Sequence, residues 1–151
     1  NTPWAHDVLA EAGHQYSSSS HPIAHDHYGD ANAAQTPFHP IAGSEFLEAP
    51  VATVNIFGKR ISAAGGGWFR ASPLIVSNAL IQRAANTLSG PVIFYFHPWE
   101  VDPDQPRLNR ASAKSKLRHY INLREMQPKL AKTLAKHPWQ RIDQCLGLEP
   151  A

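Results

Sequence analysis

The chain has 151 residues, 42% apolar and 17% charged, with a formal net charge of +2; this is the balance of one folded domain, not of a disordered or fibrous chain. A single cysteine, Cys145, excludes an intrachain disulfide and any cysteine-rich zinc site, and no apolar stretch is long enough for a signal or a membrane span. Residues 1–100 carry four Lys/Arg against seven Asp/Glu, and residues 101–151 carry ten against five. The basic part lacks the interleaved aromatics of a nucleic-acid surface and reads as a solvated helical face.

In chain order, Thr2-Pro3 reads as an N-cap with proline at the first helical position. Trp4, Val8, Leu9 and Ala12 then recur at helical spacing, and Gly13 closes the helix. Tyr16 and the four serines after it read as a short strand running into a polar loop. From His21 to Gly43 the chain is rich in Pro, His, Ala and Asn without periodicity, which predicts a long loop. Pro50 to Phe57 reads as a strand, turned at Gly58-Lys59, with Ile61 onward pairing back. Gly65-Gly66-Gly67 permits unusual backbone angles and close approach of another group. Ser72-Pro73 repeats the cap-and-proline signature and opens a helix through Leu74, Ile75, Ala79, Leu80 and Ile81 that ends near Gly90.

Val92 to Phe96 has the β-branched and aromatic content of a buried strand. It stops at His97, followed at once by a proline that cannot donate to a ladder. The strand–helix–strand order predicts a right-handed crossover in a parallel sheet or barrel. Ser112 to Leu123 and Glu125 to Lys136 read as two helices, with Pro128 near the start of the second. Leu117, Tyr120 and Ile121 mark a buried face on the first, and Met126, Leu130 and Leu134 on the second. Trp139 and Ile142 are expected to pack the tail.

Three blocks carry a family resemblance: GGGWFRASP (Gly65 to Pro73), FYFHPWEVDPDQPR (Phe94 to Arg107) and KLRHYINL (Lys116 to Leu123). In this order and at these intervals they resemble the C-terminal half of bacterial polysaccharide deacetylases of the NodB-homology type, in the branch associated with exosortase and exopolysaccharide loci. The segments TPWAHDVLAEAGHQYSSS and HPIAHDHYG are similar to the same family's preceding part, so the resemblance covers nearly the whole chain. It implies an α/β fold, the C-terminal part of a distorted (β/α) barrel, over residues 1–110, with a helical extension over 111–151. It also implies hydrolysis of a non-peptide carbon–nitrogen bond, the N-acetyl group of an N-acetylhexosamine in a polysaccharide. That family binds a divalent metal, zinc or similar, through an aspartate and two histidines, with a further aspartate as base. All four correspond to positions ahead of Asn1, so the chain is expected to be a fragment that binds no metal itself and has the N-terminal half of the catalytic domain as a partner.

His97 matches the family's late-strand histidine, whose implied role is the acid that protonates the departing amine. Glu100 or Asp102 is expected to orient its imidazole and favour the charged form. Arg70 is expected either to orient a catalytic carboxylate from the preceding half or to contact substrate, its planar fork suiting the first role. Trp68 and Trp99 are candidates to support a sugar ring, or else are core residues. The HDxYG match falls on His25, Asp26, Tyr28 and Gly29, where Asp26 and Tyr28 brace the loop or touch substrate. HPIAH (His21 to His25) has the H-x-x-x-H form, with His27 as a third imidazole. But Pro22 argues against a helix, and the spacing loses its meaning in a loop, so no metal site is assigned. His119 and Tyr120 lie on a predicted helix and read as structural; His6, His14, His39 and His137 read as surface residues; Cys145 has no base beside it. A non-catalytic carbohydrate-binding or interaction module is the alternative. The sequence does not fix the compartment.

Overall fold

A computed structural model describes residues 2–24 and 29–148. Its helices are α1 (Ala5–Glu11), α2 (Gly66–Ala71), α3 (Leu74–Thr87), α4 (Ala113–Tyr120), α5 (Leu123–Lys136) and α6 (Ile142–Leu146), and a 3₁₀ turn spans Pro98–Val101. Its strands form two separate pairs: β1 (Tyr16–Ser17) runs parallel to β2 (Leu47–Glu48), and β3 (Thr53–Ile56) antiparallel to β4 (Lys59–Ser62). The fold is therefore mixed α/β. The described residues form no closed barrel, and their strand pairing does not confirm part of a (β/α) barrel.

The reason lies in the segment from Val92 to Phe96. Its composition predicts a strand, but it has no regular secondary structure and pairs in no ladder among the described residues. Two backbone bonds hold it from one side: Ala52 N–H donates to the Ile93 carbonyl at 3.3 Å and Gly66 N–H to the Tyr95 carbonyl at 2.9 Å. An apolar run of this kind suits a strand flanked on both edges; here it has isolated bonds in place of a crossover. The glycines explain the close approach. A Cβ on Gly65 would lie 2.0 Å from the Tyr95 carbonyl oxygen, and one on Gly66 would lie 2.2 Å from the Tyr95 hydroxyl. No side chain fits between α2 and this segment.

The hairpin turn sits one residue earlier than the sequence predicts. Ile56 pairs with Lys59, leaving Phe57 and Gly58 as the turn, with φ of 48° and 76°. Two positive-φ residues match the twist of a tight hairpin, and Gly58 takes its position without strain, whereas the aromatic Phe57 does not. Helix α3 begins at Leu74 without a side-chain cap, and the Ser72 hydroxyl, predicted to cap it, does not. In contrast, Ser112 does cap α4, its hydroxyl accepting from Ser115 N–H at 3.2 Å. Between α4 and α5, Asn122 takes a left-handed conformation that asparagine tolerates, and its amide donates to the Arg70 carbonyl at 3.2 Å.

Two apolar clusters make the core. Ala52, Val54, Ala63, Ala64, Ile81 and Ala84 join the hairpin to α3, while Phe69, Met126 and Leu130 join α2 to α5. Phe94 packs against both, edge-on to Phe69 at 4.9 Å and to Trp139 at 5.5 Å. The Val92–Phe96 segment is thus the seam of the core, and His97 stands at its end. Lys129 reinforces the junction by donating to the carbonyls of Phe69 and Ser72 from beneath the Phe69 ring.

A second polar anchor ties the N-terminal segment down. The buried Glu48 carboxylate accepts from the Ser17 hydroxyl, from Ser19 N–H at 2.8 Å and from Ser20 N–H at 2.6 Å, and meets His6 Nε2 at 3.2 Å. Burial pushes the Glu48 carboxyl up, but these hydrogen bonds outweigh it and hold the pKa below its ordinary value. His6 is therefore half-buried and engaged, not the surface residue its sequence context predicts.

Candidate functional site

The residue before a proline is pushed toward extended backbone, and His97 adopts φ −96°, ψ 143° ahead of Pro98. This ends the strand segment and starts the 3₁₀ turn, which brings Glu100 back under His97. The His97 carbonyl accepts from Glu100 N–H at 2.9 Å, and His97 N–H donates to Glu100 Oε2 at 3.0 Å. The same oxygen lies 3.5 Å from His97 Nδ1. The imidazole itself is 56% exposed, whereas the Glu100 side chain is 1% exposed. A buried carboxylate thus faces one side of an accessible ring.

Arg70, from α2, closes the other side of that carboxylate. Its Nη1 donates to Glu100 Oε1 at 2.8 Å and its Nη2 to the Arg118 carbonyl at 2.7 Å. Burial lowers the Arg70 pKa and the Glu100 charge opposes that shift. A guanidinium stays protonated well beyond such a change. Both sequence-predicted roles for Arg70 assume a group that can reach an incoming carboxylate or substrate. The structure instead buries it and turns it onto Glu100.

Between the two candidate orienting acids the geometry is clear. Glu100 touches His97; Asp102 is exposed and accepts from Asp104 N–H at 3.2 Å in a local turn. The two tryptophans also differ. Trp99 is stacked on His119 at 4.2 Å and 13°, has the Arg70 guanidinium carbon 4.9 Å from its ring centre, and lies 5.7 Å and 24° from the His97 ring. Trp99 is thus engaged by two imidazoles and a guanidinium. Trp68 is 51% exposed. Asp26 and Tyr28 lie outside the described residues.

His119, which reads from the sequence as structural, and Gln105, which the sequence does not single out, belong to the same constellation. The Gln105 amide nitrogen donates to the carbonyls of Trp99 at 2.7 Å and Asp102 at 2.8 Å. Its oxygen is therefore the acceptor facing His119 Nε2 at 2.7 Å, which places a proton on that nitrogen. Tyr120 fastens the same end of α4, its hydroxyl accepting from Leu108 N–H at 2.9 Å and donating to the Pro106 carbonyl at 3.3 Å. The signal in the sequence was the KLRHYINL block itself, whose His119 and Tyr120 face the turn after His97.

Among the described residues no three His, Cys, Asp or Glu side chains come together in a way that would hold a metal ion. The arrangement sets an exposed imidazole with a buried carboxylate 3.5 Å from its Nδ1 and a guanidinium holding that carboxylate, groups capable of proton transfer. No helix among the described residues is long and apolar enough to cross a membrane.

The family described as Domain of unknown function (DUF3473) matches residues 18–147, most of the chain, and the chain belongs to it. No curated protein and no solved structure matches.

Proposed function

We propose that this member of the DUF3473 family is the acid-bearing part of a metal-dependent polysaccharide deacetylase of the NodB-homology type. The observation that supports this most directly is the buried Arg70–Glu100 pair beside the exposed His97, at the end of the apolar segment Val92–Phe96. The order of the Gly65–Pro73, Phe94–Arg107 and Lys116–Leu123 blocks supports the family.

In the reaction, water adds to the acetamido carbonyl, and the tetrahedral intermediate collapses with cleavage of the carbon–nitrogen bond. The amine is a poor leaving group unless protonated, and His97 as imidazolium donates that proton to the nitrogen. Acetate and the free amino sugar result. Glu100 lies on the Nδ1 side of the ring, and Arg70 fixes Glu100 in place. Trp68, 51% exposed, is the aromatic offered to a sugar ring. A divalent metal, held by a preceding segment of the domain, would activate the water and polarise the carbonyl.

Acetate release from N-acetylglucosamine oligomers tests this, measured on the full-length protein that carries this chain, with divalent metal present. His97→Ala is expected to lower kcat by about 10²–10⁴. Wild-type rates in that variant would move the proton donor elsewhere. Absence of acetate release from several N-acetylated glycans would favour a carbohydrate-binding module.

A further inference from the structure

Between the end of α2 and the first turns of α5 lies a cavity of about 330 Å³, whose wall includes the exposed Asn122, Glu125 and Lys132. That volume suits a small ligand. Of the residues placed around His97, only Arg70 reaches this wall. Lys129 also lines it, with 9% of the residue exposed. Its amine donates to the carbonyls of Phe69 and Ser72 and lies 4.2 Å from the centre of the Phe69 ring; among the described residues no carboxylate pairs with it. The ammonium is thus buried without a counter-charge, and burial lowers its pKa to about 8. Near pH 7.5 roughly a quarter of it is then neutral, against about one part in a thousand for an ordinary lysine. A neutral amine has two N–H donors and one lone pair. The two carbonyls take both donors, which holds the amine in place and leaves the lone pair for an electrophile, as in lysines activated by desolvation.

The other ionisable groups on the wall are Arg70, already held by Glu100, and Glu125 and Lys132 of α5. Glu125 lies four residues before Lys129 and Lys132 three after it, about 6 Å and 4.5 Å along the helix axis, and both share its side of the helix. An acidic group on a ligand at Lys129 is therefore drawn toward Lys132 and repelled from Glu125. We propose that Lys129 forms an imine in this cavity with a small aldehyde carrying one acidic group, a carboxylate or a phosphate ester, which Lys132 holds. The Nζ lone pair attacks the carbonyl carbon and a C–N bond forms. The carbonyl oxygen then leaves as water with both amine protons, and a C=N bond to Nζ remains; no oxidant or reductant is required. This site stands apart from the deacetylase reading, in which Lys129 has no part.

The test treats the full-length protein that carries this chain, near pH 7.5, with cyanoborohydride and one of three aldehydes: glycolaldehyde phosphate, glyoxylate or neutral glycolaldehyde. The hydride fixes an imine as a secondary amine, and peptide mass mapping reads the label at each lysine. The rate at Lys129 is taken relative to that at the exposed Lys59, which cancels the intrinsic reactivity of each aldehyde. Lys129 is expected to be labelled about tenfold faster than Lys59 by an acidic aldehyde, with half-maximal labelling near pH 8, and the two acidic arms separate phosphate from carboxylate. Lys132→Gln should lower that ratio to the value for neutral glycolaldehyde, whereas Lys136→Gln, also at an exposed position of α5 but off the cavity wall, should leave it unchanged. Labelling of Lys129 no faster than that of Lys59 would overturn the proposal. Equal ratios for all three aldehydes, or a wild-type ratio in Lys132→Gln, would overturn the assignment of an acidic ligand. Selective labelling without acetate release would count against the deacetylase reading alone; acetate release without selective labelling would count against this one alone.

Discussion

The Arg70 guanidinium and the Glu100 carboxylate meet at 2.8 Å with 1% of either side chain exposed. Removing one member of such a pair strands the other charge in the interior, at a cost of about 3–5 kcal/mol. Arg70→Ala and Glu100→Ala are each expected to lower the unfolding free energy by that amount in urea titrations. Replacing both residues together should cost less than the sum of the two, because no lone charge remains. Equal additivity would show that the pair is not coupled.

His119 and Trp99 make the second prediction. Their 4.2 Å stack, with the Gln105 bond fixing the imidazole, holds the indole against which His97 leans. His119→Phe keeps a flat ring and should retain most of the stack, whereas His119→Ala should lose about 0.5–1.5 kcal/mol. The ring-current shift of the His97 Hε1 proton reads the consequence directly. It should change in His119→Ala and stay near wild type in His119→Phe. An unchanged shift in the alanine variant would separate His119 from the placement of His97.

These two relationships show what the sequence discloses. The end of the strand at His97, the close-approach glycines before Trp68 and the cap at Ser112 follow from local rules, because proline, glycine and serine act on neighbouring backbone. Glu100 was one of two acids within reach of His97, and only the 3₁₀ turn decides between it and Asp102. The Gln105–His119–Trp99 contact joins residues 14 and 20 positions apart, and no periodicity encodes such a meeting. The strand pairing of Val92–Phe96 is not legible for a related reason. Composition marks Val92–Phe96 as a strand to be flanked, but says nothing of which segment flanks it.

Glu48 governs the acid side of stability. Its folded-state pKa is held below the 4.5 of an ordinary carboxyl by the Ser17, Ser19 and Ser20 bonds, against the opposing effect of burial. A depressed carboxyl contributes stability that is fully present above about pH 4.5 and is lost as pH falls through the folded value. The wild-type chain should therefore lose stability on acidification below pH 4.5 more steeply than Glu48→Gln. At neutral pH, Glu48→Ala leaves the Ser19 and Ser20 N–H groups without their acceptor and should cost more than about 2 kcal/mol. Parallel acid limbs in the wild type and the glutamine variant would assign the acid sensitivity to other carboxyls.

Lys129 acts in the opposite direction and at the other end of the pH scale. Burial between α2 and α5 lowers its pKa from 10.5 to about 8. Below pH 8 it is charged in both folded and unfolded chains, and the full penalty of burying that charge is present. Between about 8 and 10.5 the unfolded chain holds a proton that the folded chain has released, so stability rises with pH by at most about 3 kcal/mol. Its neutral amine still donates to the Phe69 and Ser72 carbonyls, so the junction survives deprotonation. Lys129→Met removes the titrating group, and the alkaline rise should vanish with it. Chemical denaturation of both chains at pH 7.5, 9 and 10 provides the comparison. A rise of equal size in the methionine variant would show that Lys129 keeps an ordinary pKa and that another group titrates in this window.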